Sequence, residues 1–161
     1  MKDSIQIRRA TPDDAPTIAE LLHTSFVEHK ASYTEEAFAA TTPTADRIQK
    51  RMNEGPVWVA VHHATIVGTV SAVPKGEALY VRGMAVLPTA RGQRIGELLL
   101  EQVEGFARAH GYKRLFLSTT PFLDRAIRLY ERCGFRRSDE GPQELFGTPL
   151  FTMDKTLEPQ V

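Results

Sequence analysis

The change in hydrophobic period near Gly55-Pro56 constrains the fold more than any other feature of the sequence. Before this point apolar residues recur at helical spacing. After it, the runs VWVAV (57–61), TIVGTVSAV (65–73) and EALYVRGMAVL (77–87) are rich in β-branched residues, which favour strands. Three such runs joined by short turns predict an antiparallel meander that follows a helical segment.

Signals before the meander predict one strand and then helices. SIQIRRA (4–10) predicts a first strand. Thr11-Pro12-Asp13-Asp14 predicts a helix start, because it combines a capping hydroxyl, proline at the first helical position and acids in the first turn. A second helical stretch begins near Thr34, is interrupted at 42–44 and continues to about Asn53.

The chain after the meander alternates helix and strand. A helix is predicted from about Gln93 to His110, a strand over 113–119, a helix from Thr120-Pro121 to Gly134 and a final strand over 148–157. A strand–helix–strand unit favours parallel pairing with a right-handed crossover. The predicted fold class is therefore a mixed α/β sheet of six or seven strands flanked by helices, in the order β-α-α-β-β-β-α-β-α-β-β.

Charge and apolar content exclude several classes of protein. Lys plus Arg and Asp plus Glu both total 20, and a net charge near zero argues against a general nucleic-acid binder. The first ten residues have no signal-peptide core, and no apolar run approaches a membrane span, so we expect a cytoplasmic protein with no membrane partner. Cys133 is the single cysteine, which excludes an internal disulfide. The adjacent His62 and His63 are expected in a turn and not on a metal.

The segment RGQRIG (91–96) breaks two rules of helix composition at a predicted helix start. Gly92 and Gly96 each weaken a helix by roughly 0.5–1 kcal/mol relative to alanine. Arg91 and Arg94 lie at the end where the helix dipole is already positive. Unpaired N–H groups at a helix start favour an anion, and arginines add charge-assisted hydrogen bonds to phosphate. The alternative is a solvated arginine loop whose glycine lets helix and sheet pack closely.

This turn resembles the cofactor motif of the GNAT superfamily of N-acetyltransferases, Q/R-x-x-G-x-G/A. Arg91-Gly92-Gln93-Arg94-Ile95-Gly96 matches its first and last positions, and Arg94 stands where the motif has its middle glycine. The resemblance continues in MAVLPTARG before the turn and in AIRLYERCGF (126–135), and with the strand order it covers nearly the whole chain. It implies a GNAT-like fold, with residues 1–161 as a single N-acetyltransferase domain and a core of about 4–157.

The resemblance also implies where acetyl-CoA, as co-substrate and without a metal, would bind. Backbone groups of the turn would hold its pyrophosphate, through Arg91, Gly92, Gln93, Arg94, Ile95 and Gly96. In the family the preceding strand bends and splays from the next parallel strand, so Met84, Ala85 and Val86 would line the thioester. An N–H near Val86 would stabilise the developing oxyanion. Gly83, inside an otherwise good strand, independently indicates a bulge or a close approach.

Tyr130 aligns with the family's usual general acid. Its phenol could protonate the departing thiolate, whereas helical periodicity alone favours a tyrosine buried in the core. Leu123 stands where the family often has an asparagine, so one polar contact to the cofactor would be missing unless another group, such as Thr119, supplies it.

A base is also needed, since an amine acceptor is largely protonated at neutral pH and only its free form attacks. Glu77, at the start of the third meander strand, is the first candidate, acting directly or through water. The alternative is an ordinary glutamate at a strand end. Glu28, His29, Tyr33 and Tyr80 are rivals near the expected acceptor side.

The expected function is transfer of an acetyl group from acetyl-CoA to a primary amine by direct attack in a ternary complex. The amine could belong to a small molecule or a peptide, and the loop at 138–148 is expected to shape its pocket. A non-catalytic acyl-CoA-binding sensor or interaction module is the alternative from another class, and a purely structural domain is a third. The resemblance is compatible with a homodimer, although no stretch of the sequence indicates an interface.

Overall fold

A computed structural model describes residues 4–158 and contains one seven-stranded mixed sheet. The strand order is β1-β2-β3-β4-β5-β9-β6, and a separate two-stranded hairpin is formed by β7 and β8. The strands are β1 (Gln6–Arg9), β2 (Val57–His62), β3 (Thr65–Lys75), β4 (Ala78–Val86), β5 (Arg114–Thr119), β6 (Arg136–Ser138), β7 (Glu144–Leu145), β8 (Thr148–Pro149) and β9 (Phe151–Thr156). The predicted fold class is confirmed.

Five α-helices flank this sheet in the described part of the chain. They are α1 (Ala15–Phe26), α2 (Glu35–Thr41), α3 (Ala45–Met52), α4 (Ile95–Ala109) and α5 (Asp124–Arg132). The interruption at 42–44 separates α2 from α3, so three helices precede the meander where the predicted order counted two. None of the helices within 4–158 is long and apolar enough to cross a membrane.

The predicted helix start at Pro12 is a short 3-10 turn that leads into α1. Thr11 and Asp14 form a capping box across this turn, and the Arg8 guanidinium donates a 2.8 Å hydrogen bond to the Asp14 carboxylate. That bond is the main reason why the pKa of Asp14 falls to about 2. The carboxylate therefore ties β1 to the start of α1.

The meander is antiparallel, and the crossover through α4 is parallel, as the sequence predicts. β2 pairs with β3 and β3 with β4 in antiparallel register, while β4 pairs with β5 in parallel. The last strand, β9, lies between β5 and β6 and is antiparallel to both. The pairing of β4 with β5 at the centre of the sheet is the one that positions the site.

The two faces of the sheet are buried by different helices. On one face α4 packs Ile95, Leu99 and Val103 against the sheet, and all three are at most 2% exposed. On the other face α1 and α3 bury a second cluster that includes Ile18 and Ile48. Each such aliphatic side chain contributes about 1.5–3 kcal/mol when fully buried. Burial of these clusters therefore stabilises the packing of the helices on both faces of the sheet.

Candidate active site

Strands β4 and β5 separate after three paired residues. Ala78, Leu79 and Tyr80 of β4 face 114–116 of β5, and neither strand pairs with the other beyond Tyr80. A bulge bends β4 at the same place, since Gly83 and Met84 together face one residue of β3. Gly83 has φ +63°, a conformation that favours glycine. The bulge at Gly83 and the splay implied by the family resemblance are both confirmed.

The separated strands open into a cleft of about 520 Å³. Its walls come from the end of α1 and the turn after it, from the end of β4, from the 90–97 segment and from α5. Of the predicted site residues, those that line it are Met84, Ala85, Val86, Arg91, Gly92, Arg94, Ile95, Gly96 and Tyr130.

The first turn of α4 provides backbone N–H groups at one end of this cleft. The helix begins at Ile95, and the N–H of Leu98 bonds to the carbonyl of Arg94 at 3.1 Å. The N–H groups before Leu98 have no acceptor within the helix. Arg94 has φ +63°, so it adopts the left-handed conformation that the family's middle glycine would favour. Arginine therefore occupies this position in a backbone conformation that costs glycine less.

Gly96 has a packing role that the sequence offered only as an alternative. A Cβ at this position would lie 2.6 Å from Leu129 Cδ2 and 3.2 Å from Met84 Cε. The glycine therefore lets α4 approach α5 and β4 closely. Gly92 differs, because open space surrounds it and its φ of +89° is what favours glycine.

The arginines of the turn are paired with carboxylates. Arg91 Nη2 lies 2.9 Å from Glu28 Oε1, which bridges the turn to the segment after α1. This hydrogen bond is the main cause of the lowered pKa of Glu28. Arg94 donates to Glu97 Oε2 at 2.9 and 3.0 Å, and Arg132 lies 3.6 Å from the same carboxylate's other oxygen. An incoming anion would compete with these carboxylates for the guanidinium groups.

Tyr130 lies on α5 at the wall of the cleft and is only 9% exposed. Its ring packs 5.9 Å from that of Phe135. Burial raises the pKa of its phenol, and the nearby Tyr33 and Tyr80 raise it further. The phenol is therefore held in its protonated form, which is the form that a general acid requires.

Three predicted site residues lie outside the cleft walls. Gln93 belongs to the same turn but is exposed, and Thr119 is buried at the end of β5, where it pairs with Phe151 of β9. Glu77 lies in the turn between β3 and β4, with its side chain 79% exposed and 3.5 Å from Lys113 Nζ. The residues of β4 that line the cleft begin only at Met84, up to about 23 Å along the chain from Glu77 at the usual rise of a strand. The structure therefore separates Glu77 from the other candidates.

Several residues of the cleft had no signal in the sequence. Ser25 donates a 3.3 Å hydrogen bond to the carbonyl of Val86, and Arg125 and Arg128 project from α5. Among the rival bases, Glu28 and His29 both line the cleft, 3.8 Å apart. These two lie in the 3-10 segment Val27–Ser32 and are the two rival bases that line the cleft.

An aromatic cluster borders the cleft beside α2. Tyr33 and Phe122 contact edge to face at 4.9 Å, and Phe38 and Leu145 pack with them. The β7–β8 hairpin, predicted as a loop at 138–148, is fixed to the start of α2 by Thr34. Its N–H donates to Thr148 Oγ1 at 2.9 Å, and its hydroxyl donates to the carbonyl of Phe146 at 2.8 Å.

The two adjacent histidines lie where β2 ends and the turn to β3 begins. The rings of His62 and His63 lie 4.1 Å apart, because His63 has φ +52° and leaves the strand alternation. Within residues 4–158, no group of three or more histidine, cysteine or acidic side chains could hold a metal ion.

Comparison with known proteins gives a family and a set of related sequences. Residues 16–135 match the profile of the Acetyltransferase (GNAT) family. The chain is 42% identical over 84 residues to the probable N-acetyltransferase camello of Xenopus laevis, which covers 50% of this chain and 38% of that protein. It is 28% identical over 139 residues to the uncharacterized N-acetyltransferase YjgM of Escherichia coli, with 83% of each covered.

A third relative and two solved structures extend the comparison. The IAA acetyltransferase of Azospirillum brasilense is 41% identical over 103 residues, 62% of this chain and 66% of that protein. A Thermoplasma acidophilum PaiA N-acetyltransferase, solved in complex with coenzyme A, superimposes with a TM-score of 0.82 at 18% identity, covering 96% of this chain and 99% of that one. The Escherichia coli ribosomal-protein-S18-alanine N-acetyltransferase gives 0.76 at 15% identity, covering 98% and 97%. At these identities the structures show a shared fold.

Proposed function

The chain belongs to the GNAT family of acetyltransferases and is an acyltransferase, and we propose that it moves an acetyl group from acetyl-CoA to a primary amine by direct attack in a ternary complex. The observation that carries this proposal is the cleft itself. Three features meet there: the open edge of β4 after its bulge, the N-terminal turn of α4 and the buried phenol of Tyr130. In acyl transfer from acetyl-CoA, these three features can polarise the thioester, hold the diphosphate and protonate the leaving thiolate.

The turn at 91–96 would hold the diphosphate. Its unpaired N–H groups and the positive end of the α4 dipole favour an anion by about 0.3–1 kcal/mol per charge. Arg91 and Arg94 would exchange their carboxylate partners for phosphate oxygens, which suit the guanidinium fork equally well. The coenzyme A complex of the Thermoplasma structure supports an acyl-CoA as the donor.

The edge of β4 would polarise the thioester. The N–H of Leu87 bonds to the carbonyl of Val67 in β3. Because peptide groups alternate in direction along a strand, those of Val86 turn to the open edge, where its carbonyl accepts from Ser25. An N–H at that edge can stabilise negative charge on the thioester oxygen, and losing one such donor typically costs about 2.7–4 kcal/mol in the transition state.

Tyr130 and one residue of the opposite wall would move the protons. The protonated phenol of Tyr130 would give its proton to the thiolate that leaves. The exposed position of Glu77 does not support a role as base. Glu28 is a weak base because Arg91 lowers the pKa of its carboxylate. We therefore assign the base to His29 on the cleft wall, acting directly or through water.

Release of free thiol from acetyl-CoA over a panel of primary amines tests this proposal. We expect amine-dependent release with at least one class of amine and stabilisation of the protein by CoA alone. At about 100 times its Kd, a ligand adds roughly 2.7 kcal/mol to the free energy of unfolding. Stabilisation without thiol release on any amine would contradict the catalytic role and favour the binding module.

A further inference from the structure

Two arginines lie at the β4 bulge on the side of the sheet away from α4. Arg82 directly precedes Gly83, and Arg51, near the end of α3, places Nη1 3.1 Å from where a Cβ of Gly83 would be. Consecutive Cα atoms are about 3.8 Å apart. The Arg51 guanidinium therefore lies close to Met84, the first residue of β4 that lines the cleft.

Strand alternation places these arginines on the face of the sheet opposite α4, the face from which we expect the amine to approach. Leu79 and Val81 of β4 are buried in the cluster under α4, so Tyr80 and Arg82 occupy the other face. There the Tyr80 ring packs 5.0 Å from Phe116 of β5, and both are only partly buried. The arginines thus border the side from which an amine would approach a thioester seated in the cleft.

Only one of the two guanidinium groups has a carboxylate partner among residues 4–158. Arg82 is bonded to Glu54, yet its Nε is buried without a hydrogen-bond partner. Arg51 has no carboxylate within 4.0 Å among residues 4–158, and its hydrogen bond to the carbonyl of Ala40 is a long 3.5 Å. By contrast, Arg114 on the same face has two carboxylate partners, at 3.0 and 3.2 Å. One positive charge therefore remains without a partner beside the bulge.

Burial makes this arrangement costly for the folded chain. Burial first, and then the charge of Arg82, lowers the pKa of Arg51 to about 10, and the side chain remains cationic at neutral pH. A charge held in this way and left unpaired destabilises the fold. Positions that break a local rule in this manner are candidates for binding.

We propose that Arg51 and Arg82 bind a carboxylate of the acceptor, so that the substrate class is amines that carry a carboxylate a few atoms from the nitrogen, as amino acids do. The inference rests on the proposed acetyl transfer. A guanidinium presents its donors in a planar fork that a carboxylate matches with two hydrogen bonds. Such an anchor beside Met84 would hold the amine of a short molecule near the open edge of β4.

Matched pairs of amino acids and their amides test the substrate class, with thiol release from acetyl-CoA as the readout. Each pair keeps the amine and the side chain and differs in the carboxylate. The amide has the less basic amine, so more of it is free, and a preference for the acid cannot come from amine reactivity. We expect kcat/KM for the preferred acid to exceed that of its amide by at least about tenfold, equivalent to about 1.4 kcal/mol.

Variants of α3 test the role of Arg51. In Arg51→Gln the ratio of kcat/KM between acid and amide should fall to about one, and Arg51→Lys should recover part of it. Lys50→Gln, which removes an exposed charge from the same helix, should leave the ratio unchanged. The Tm of Arg51→Gln should equal or exceed that of the wild type, because the variant removes an unpaired and partly buried charge.

The outcomes separate this inference from the proposed function. Thiol release with amines but no preference for the acid would overturn the carboxylate anchor and leave acetyl transfer standing. A lower Tm for Arg51→Gln, with the ratio retained, would make Arg51 a structural residue and would also overturn the anchor. Absence of thiol release with every amine would remove the proposed function and this inference with it.

Discussion

The donor side and the acceptor side of the cleft are built in different ways. The donor side uses backbone groups from two short segments, 84–86 and 91–96, which follow one another closely in the chain. The proposed acceptor side would use side chains from the 33–41 region, from α3 and from the β7–β8 hairpin, which are far apart in the chain. A site made from backbone leaves a local motif in the sequence, whereas a groove made from distant side chains does not.

The two sides also differ in how their charges are balanced. Arg91 and Arg94 on the donor side are paired with Glu28 and Glu97 at 2.9 Å. Arg51 on the acceptor side has no such carboxylate among the described residues. The proposed donor side would thus exchange partners when phosphate binds, whereas Arg51 has no carboxylate to release. Variants that affect one side and leave the other unchanged test this division.

The largest effect is expected for Tyr130→Phe, which removes the proton donor and keeps the packing. We expect kcat to fall by about 100-fold or more while the Kd for CoA stays constant. Because burial raises the pKa of Tyr130, the phenol stays protonated as the pH rises. Deprotonation of Tyr130 should therefore not lower the wild-type kcat up to pH 9. Tyr112→Phe, at a half-buried tyrosine stacked 6.5 Å from Phe106, is the control. Equal kcat values for both variants would remove the role of Tyr130 as acid.

Gly96→Ala should affect the donor side through packing. The new Cβ would overlap Leu129, and overpacking of this kind typically costs about 1–3 kcal/mol of stability. Gly105→Ala is the matched control on the same helix, because nothing lies within 4 Å of its Cβ position. It should stabilise the protein by roughly 0.5–1 kcal/mol. Urea unfolding of both variants measures the difference, and shifts of the same sign would contradict the packing role.

A smaller effect is expected for Arg91→Gln. The variant loses one charge-assisted contact to phosphate but also frees Glu28, so we expect the Kd for CoA to rise by about fivefold, close to 1 kcal/mol. KM for the amine should change little. Calorimetric titration with CoA checks the first value, with Arg47→Gln on exposed α3 surface as the control. An unchanged Kd would show that the turn holds CoA without this arginine.

The smallest effect is expected at the hairpin. Phe146 is 56% exposed, and its carbonyl is bound by Thr34. Phe146→Ala keeps that backbone bond and removes the ring, so KM for the amine should change by about two- to threefold, within 1 kcal/mol, at constant Kd for CoA. A change in CoA affinity without a change in KM would place the hairpin on the donor side.

Sequence reasoning predicts what local patterns encode. The spacing of apolar residues and the positions of glycine and proline predict the strands, the crossover and the bulge at Gly83. The motif predicts the turn before α4. The position of Glu77 at the start of a strand makes it a candidate from the sequence, but the splay opens toward the carboxyl ends of the parallel strands, which only the pairing of β4 with β5 reveals. No sequence pattern indicates a role for Arg51 either, since it lies among other cations on α3 and only the fold brings it to the bulge.

A crystal structure with bound CoA tests the central claim most directly. We predict the diphosphate on the N–H groups of the 91–96 turn, with the sulfur between the edge of β4 and the hydroxyl of Tyr130. A diphosphate bound elsewhere, or a sulfur remote from Tyr130 with the turn empty, would contradict the account.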